Sequence, residues 1–440
     1  MGWASETARA AAETFEGAFP GEQVVVAAAA VDADGTATAL GDGCPPDGRF
    51  ELGSVTKTMT GTLLASLVGD GLAGLDDEIG RWLAAGPNAG ITLRQLATHT
   101  SGLPRLAPNH EATHDEANPY ARYTAALAEE GLRQASRKPD AGFGYSNFGY
   151  QLLGLALERA AGRAYQALLS ERVLGPLSMT MSGVGDAGGG TRLSGHADGK
   201  TAGHWDMPLP GPGGVEGSIG DVARYLQACL TPPGTALGAA LRLAATPQLR
   251  LDEHREIGLG WIIRDGQVRW HNGGTGGFAA SAGFDPASFR ALAVLVNTHG
   301  RAAGALDAAV LLALGGGDLR EARPRGHEHA RPDDPAWEDR AREAASALLD
   351  GRFAAAHENL APLSRAQLSA GQLERGWLRA MAGAGEPGEM SISCWPAGGG
   401  VGALVTIACT QRAVRLAIAF EPTGQITGLR VLRPDEAPPW

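Results

Sequence analysis

The sequence predicts an α/β chain. An antiparallel sheet built from both ends of a large N-terminal part is flanked by helices and carries an all-helical insert, and a small α+β domain follows. Three observations carry this expectation. Period-two segments occur near the start and again from about Ile257, the stretch between them has helical spacing, and a polar segment broken by Gly and Pro precedes a tail with its own helix-then-strand order.

Residues 4–18 alternate alanine with charge at helical spacing, and "QVVVAAAAVDADGTATALGDG" reads as two strands around an Asp34-Gly35 turn. From Ser54 the pattern becomes a helix, with Met59, Leu63, Leu64 and Leu67 on one face and Gly69 and Gly71 marking its end. A capping box in "TLRQ" opens another helix at Thr92, which stops at "TSGLP". Residues 104–145 are rich in Pro, His and Gly around a helical piece near 120–134, and "SNFGYQLLGLALERAAG" begins a further apolar helix. Then "IGLGWIIRDGQVRWHNGG", "GFAASAGFDP" and "ALAVLVNTHG" read as three consecutive antiparallel strands, followed by an alanine-rich helix over residues 302–314. The expected boundaries are a domain over residues 1–318 with a helical insert at about 85–245, a linker over 319–334 and an α+β domain over 335–440. Within the last, helices over 335–382 precede strands over 392–432, with a turn at Pro422-Thr423-Gly424.

At 440 residues the chain is too long for one ordinary core, and 44% hydrophobic with 19% charged residues is the balance of a globular protein. A net charge of −11, with no basic stripe interleaved with aromatics, argues against a nucleic-acid partner. Apolar runs such as "VVVAAAAV" are too short to span a bilayer, and "MGWASETARAAAETF" lacks the basic start and apolar stretch of a secretory signal. The expectation is a cytoplasmic protein with no membrane partner. Cys44, Cys229, Cys394 and Cys409 have no CxxC spacing, which argues for reduced thiols rather than a disulfide framework or a cysteine zinc site.

Against this background "FELGSVTK" stands out. Of 37 basic residues only Lys57, Lys138 and Lys200 are lysines, and Lys57 follows Ser54 by three residues at a helix start. A serine hydroxyl needs a neighbouring base to become a nucleophile. Lysine serves when burial or nearby positive charge lowers its pKa, whereas arginine stays charged. A spacing of three places both side chains on one side of a helix whose amino end favours developing negative charge. The pair occurs by chance too often to carry the reading alone.

Further along, "GYSNFGY" supplies Tyr145 and Asn147 before a helix, and "RWHNGGTGGF" places His271, Asn272, Gly273 and Gly274 at a strand end with a glycine-rich turn. With SxxK, YxN and HxG in that order, and with "LATHTSGLP" and "GPGGVEGSIGDVARYLQ", the chain resembles the serine beta-lactamase and penicillin-binding protein superfamily, and within it the class C beta-lactamase-like serine hydrolases. The resemblance covers roughly residues 5–315. It implies Ser54 as nucleophile, Lys57 as base or proton shuttle, and Tyr145 as a phenolate-like general base that also protonates the leaving group. It further implies Asn147 on the substrate amide, with Asn272 and Gly273 also at the substrate, His271 on the edge strand, and the N–H groups of Ser54 and Gly274 as oxyanion hole. Histidine replaces the lysine of the family's third motif, so a fixed charge for a substrate carboxylate is missing there. Members with this substitution include esterases, D-amino acid peptidases and amidases, and thioesterases that release and cyclise nonribosomal peptides.

The expected function is a serine acyl-enzyme hydrolase or acyltransferase without a cofactor, its first specific substrate a nonribosomal peptidyl thioester to be released and cyclised. A carrier protein would then be a partner. A carboxylesterase or D-peptide amidase is the alternative, and a catalytically silent homologue that binds peptides or beta-lactams is an alternative of another class. Glu216 in "GGVEGS" is a candidate cleft residue. "HEATH" at residues 110–114 matches the zinc protease pattern HExxH, but lies in a polar stretch that reads as loop, so no metal is expected. "HEH" at residues 327–329 reads as solvated linker. The order of the last domain is similar to small nuclear-transport-factor-like accessory domains.

Overall fold

The computed structural model describes residues 2–16, 18, 24–115, 117–137, 142–197, 200–299, 301–322, 334–360, 370–397, 400–420 and 424–432. The chain divides into two compact units, residues 1–323 and 324–440. Most of the expected linker, "HEH", Pro422 and Thr423 lie outside the described residues.

The first unit opens with helix α1 (Trp3–Phe15) and the hairpin of β1 (Val26–Asp32) and β2 (Gly35–Leu40). Strand β3 (Gly48–Glu51) leads through a single 3-10 turn, Gly53–Val55, into α2 (Thr56–Gly69). Helices α3 (Leu93–Ala97), α4 (Ala125–Gln134), α5 (Asn147–Ala161) and α6 (Tyr165–Leu169) follow. Next come the short strands β4 (Gly183–Val184), β5 (Thr191–Arg192), β6 (Gly195–Ala197), β7 (Lys200–Ala202) and β8 (Val215–Gly217), then α7 (Ile219–Leu230) and α8 (Ala236–Ala245). The unit closes with β9 (Leu249–Arg250), β10 (Arg255–Ile257), β11 (Ile262–Arg264), β12 (Val268–Gly274), β13 (Ala279–Asp285), β14 (Arg290–Val296) and α9 (Arg301–Leu314).

The two ends of this unit meet in one antiparallel sheet of order β2-β1-β14-β13-β12-β11-β10-β9. Its join is β1 against β14, with Ala29 opposite Ala293. The unbroken apolar run in β1 follows from two covered faces. Val26, Ala28 and Ala30 pack with α1 and α9, while Ala27, Ala29 and Val31 enter the larger core with α2 and α7.

Three details differ from the sequence reading. Helix α2 is not one-faced: 12 of its 14 residues are buried, because the hydroxyls of Thr58, Thr60 and Thr62 return to backbone carbonyls one turn earlier and so need no water. The insert is not all-helical, since it contains β4 to β8. Strand β8 pairs with β3 (Glu51 opposite Glu216) and thereby holds the segment that runs into Ser54. The first of the three expected late strands breaks into a hairpin of β11 and β12, because Asp265 and Gly266 both take positive φ, 50° and 69°, the conformation of a tight two-residue turn.

The second unit has helices Pro335–Leu349, Phe353–Glu358 and Ala370–Met381, then an antiparallel meander of β15 (Pro387–Ala397), β16 (Gly400–Cys409), β17 (Val414–Phe420) and β18 (Ile426–Leu432). Trp337, Leu348, Trp377, Val405, Leu416 and Phe420 belong to its own core. Among the described residues no helix is long and apolar enough to cross a membrane.

Candidate active site

Ser54 lies in the 3-10 turn just before α2, and β12 presses against that turn backbone to backbone. A Cβ on Gly273 would stand 2.0 Å from Leu52 O and 3.0 Å from Ser54 N, and one on Gly53, whose φ is 48°, would stand 2.6 Å from Gly274 N. Only glycine permits this approach. Lys57 is the second residue of α2, with Nζ 2.9 Å from Ser54 Oγ and 2.7 Å from Pro212 O, to which it donates. Its side chain is wholly enclosed, with 0% of the residue exposed and no carboxylate paired with it among the described residues. Burial first, and the nearby Arg105 charge second, hold its pKa well below the usual 10.5. Burial thus favours the uncharged amine, which keeps Pro212 O and Ser54 Oγ as its two hydrogen-bond partners.

Tyr145 comes from a loop laced to a second loop by backbone hydrogen bonds. His99 takes φ 58° and accepts from Gly144 N at its carbonyl (2.8 Å) and from Ser146 N at Nδ1 (3.1 Å). Arg105 O accepts from Asn147 N (3.0 Å) and Phe148 N (3.1 Å), and Ser146 Oγ, which caps α5, donates to Pro104 O (2.6 Å). The rings of His99 and Tyr145 lie 4.4 Å apart, and Lys57 Nζ stands 4.9 Å from the Tyr145 ring centre. Burial pushes the phenol up to about 12, although its hydrogen bond to Ser54 and the Arg105 charge act in the opposite direction. Burial therefore favours the phenol of Tyr145 over the phenolate expected of it.

His271 faces this cluster, its ring 6.2 Å from that of Tyr145. Its Nδ1 lies 2.5 Å from Asn272 O, a group that only accepts, so Nδ1 carries the hydrogen and Nε2 the lone pair. Burial, then repulsion from Lys57, pulls the imidazole down to about 3. An unfolded chain binds this proton below about pH 6.5 while the folded one resists it until about pH 3, so His271 costs stability as pH falls through that window. Relative to His271→Gln, which cannot titrate, the wild-type chain should lose about 1.4 kcal/mol of unfolding free energy per pH unit below 6.5. Urea unfolding of both proteins at several pH values measures this difference; a constant gap would contradict the buried neutral imidazole.

Thr275 N donates to Phe278 O across the β12–β13 turn (3.0 Å), and the alternation of an antiparallel ladder then turns the Gly274 N–H away from β13, toward Gly53 and Ser54. This is the orientation an oxyanion donor requires. Asn272, one residue earlier than Gly273, belongs to the other face. Its Nδ2 donates to Asp307 Oδ2 on α9 (2.6 Å), where burial pushes the Asp307 carboxyl up to about 7. The substrate-binding role expected of the Asn272 side chain is corrected by that alternation. Asn147 Nδ2 donates to the Tyr120 hydroxyl (3.0 Å), while its buried Oδ1 has no protein partner.

Glu216 does not line the cleft. It is 3% exposed and grips Arg192, whose Nη2 and Nε lie 2.5 and 3.1 Å away, with Arg49 at 3.8 Å. Its β8 position, paired with β3, directs it into this buried ionic cluster. Glu51, His204 and Glu216 there bring ligand atoms within 4.8 Å of one another, but the two guanidiniums already supply the countercharge a cation would bring. In "HEATH" only a 3-10 turn, His110–Thr113, forms; His110 is buried among tyrosines and His114 is exposed, so the two histidines do not share a helix face. His99, Arg105 and the Pro212 carbonyl were not singled out from the sequence. The "LATHTSGLP" segment, which contains His99 and ends one residue before Arg105, was the available signal for the first two.

A sheet closed by the two ends of a domain around its insert, with a serine and a lysine entering its most enclosed helix, is the architecture of serine hydrolases of beta-lactamase type. The chain belongs to the beta-lactamase family, whose profile matches residues 12–316. It is similar to a penicillin-binding protein of Bacillus subtilis (strain 168), 26% identical over 259 residues that make up 52% of this chain and 56% of that one. It is also similar to protein flp of Staphylococcus aureus (strain N315), 30% identical over 141 residues, 31% of this chain and 28% of that protein. The chain thus spans about half, or less, of the length of these relatives.

Proposed function

We infer that the chain is a serine acyl-enzyme hydrolase or acyltransferase acting on an ester, thioester or amide of a peptide-like substrate. The observation that carries this is the buried, unpaired Lys57 amine 2.9 Å from Ser54 Oγ. Lys57 takes the Ser54 proton as Oγ attacks the acyl carbonyl, and the N–H groups of Ser54 and Gly274 receive the oxyanion. Tyr145 hands its proton to the departing group, and water or another nucleophile then releases the acyl chain. The free Oδ1 and anchored Nδ2 of Asn147 suit a peptide amide.

Release and cyclisation of a peptidyl thioester is the first specific reading, with a carrier protein as its partner. The neutral His271, which provides no anchor for a free peptide carboxylate, favours it. An ester or D-peptide amide is the second substrate within the same chemistry. The test is intact-protein mass spectrometry after mixing with a fluorophosphonate, a p-nitrophenyl ester and a peptidyl thioester, with Ser54→Ala as control. A mass increase that requires Ser54 is expected, and a cyclic rather than linear product would mark the cyclase. No adduct with any reagent would sink the acyl-enzyme reading and favour the silent binding homologue.

A further inference from the structure

Among the described residues the fixed charge that bears on Lys57 and Tyr145 is the Arg105 guanidinium, and no carboxylate pairs with Lys57. Lys57, Tyr145 and His271 feel Arg105 or one another, and no carboxylate figures among the groups that act on them. Arg105 is exposed, its guanidinium Cζ 5.3 Å from the Tyr145 ring centre, and among the described residues it forms no ion pair. Its backbone is held in place, because its carbonyl takes the first two N–H groups of α5, and its guanidinium lies over the Tyr145 ring. Most other arginines near a carboxylate in this unit are paired, for example Arg94 with Asp76, Arg159 with Glu129 and Arg192 with Glu216. A positioned guanidinium at the mouth of a site, facing no acid, is a binding group for a planar anion. It also stands on Tyr145, the residue past which the leaving group departs.

We propose that Arg105 is the specificity-determining residue of this site, receiving a carboxylate on the leaving group of the acyl donor and supplying from the loop wall the charge that His271 does not supply from the sheet. The proposal rests on the serine acyl-enzyme reading and selects among its substrates. In an amide the favoured leaving group is an amino acid with a free carboxylate and in a small thioester a mercapto acid; a carrier-bound thiol offers no carboxylate, so within that reading the proposal favours the peptide amide over the carrier thioester. The bland alternative is that Arg105 only stacks on Tyr145 and tunes Lys57.

Two thioesters of one N-acylaminoacyl group separate these roles, one with mercaptoacetate and one with the neutral thiol N-acetylcysteamine. The expected result is that Arg105→Gln lowers the ratio of kcat/KM values, charged to neutral, by about ten- to a hundredfold, through KM of the charged substrate, with Arg105→Lys recovering part of it. The ratio in wild type should also fall as salt is raised. An unchanged ratio in Arg105→Gln would overturn the proposal, and an accompanying move of the acid limb of the pH profile would then assign Arg105 to Lys57 alone. Fluorophosphonate labelling of Ser54 is run on the same samples. Labelling with no change in ratio refutes Arg105 as the anion site, whereas no labelling in wild type refutes the acyl-enzyme reading beneath it.

Discussion

Lys57→Met is expected to slow acylation of Ser54 by about 10³- to 10⁴-fold, the upper part of the range for removing a positioned base. Methionine fills nearly the same volume and restores none of the chemistry. Because Lys57 is enclosed and unpaired, its charged form would carry a desolvation cost of several kcal/mol, and a neutral side chain avoids that cost. The variant instead leaves Pro212 O without its donor, worth about 1–3 kcal/mol. The fold should therefore survive while the reaction does not. Lys57→Arg tests the same point from the other side, since a guanidinium cannot deprotonate at any working pH. With the unprotonated amine as the proposed base, acylation should decline as pH falls through the lowered pKa of Lys57. Time-resolved intact mass with a p-nitrophenyl ester, across pH, reads both effects. Acylation by Lys57→Met within tenfold of wild type would remove Lys57 as the proton acceptor.

How much of this was legible depends on how local each signal is. Ser54 with Lys57, and Tyr145 with Asn147, sit within one turn or loop, so their spacing already fixes their relation. The sheet was legible from its two period-two ends, because strands that close a domain keep their alternation wherever the insert falls. Direction was not legible where one residue decides it. His271 faces the site and Asn272 faces Asp307, and the same alternation takes Glu216 into the cluster with Arg49 and Arg192. Nor was the division of labour between Lys57 and Tyr145. It comes from burial, which depends on α2 being covered by segments such as Pro212 and Tyr150 that are far away in the chain. His99 and Arg105 were hidden for a similar reason. Their contribution runs through backbone carbonyls and a ring face, which leave no residue-type signature beyond the short motif that contains His99 and adjoins Arg105.

Gly273→Ala should lower kcat/KM by about 10³-fold, comparable to the loss of an oxyanion donor, and destabilise the first unit by about 1–3 kcal/mol as an overpacked site. The new methyl would point at Leu52 O from 2.0 Å, and that carbonyl is held in the nucleophile turn by Val55 N (3.2 Å), with Leu52 N on Val215 O (2.9 Å). Either β12 moves away from the 3-10 turn or the turn moves, and both separate Gly274 from Ser54. Gly274→Ala provides the contrast. Its Cβ would meet His299 Cε1 at 2.7 Å, the far end of a side chain that can rotate, and the N–H needed for the oxyanion remains. That variant should keep kcat/KM within about tenfold. Steady-state kinetics and urea midpoints on the two variants distinguish a backbone clash from a general intolerance of bulk. If both variants lost activity equally, the harm would come from crowding the cleft rather than from parting the two backbones. If Gly273→Ala stayed active and stable, β12 would not be locked to the nucleophile turn, and the pairing of the Ser54 and Gly274 N–H groups would lose its physical basis.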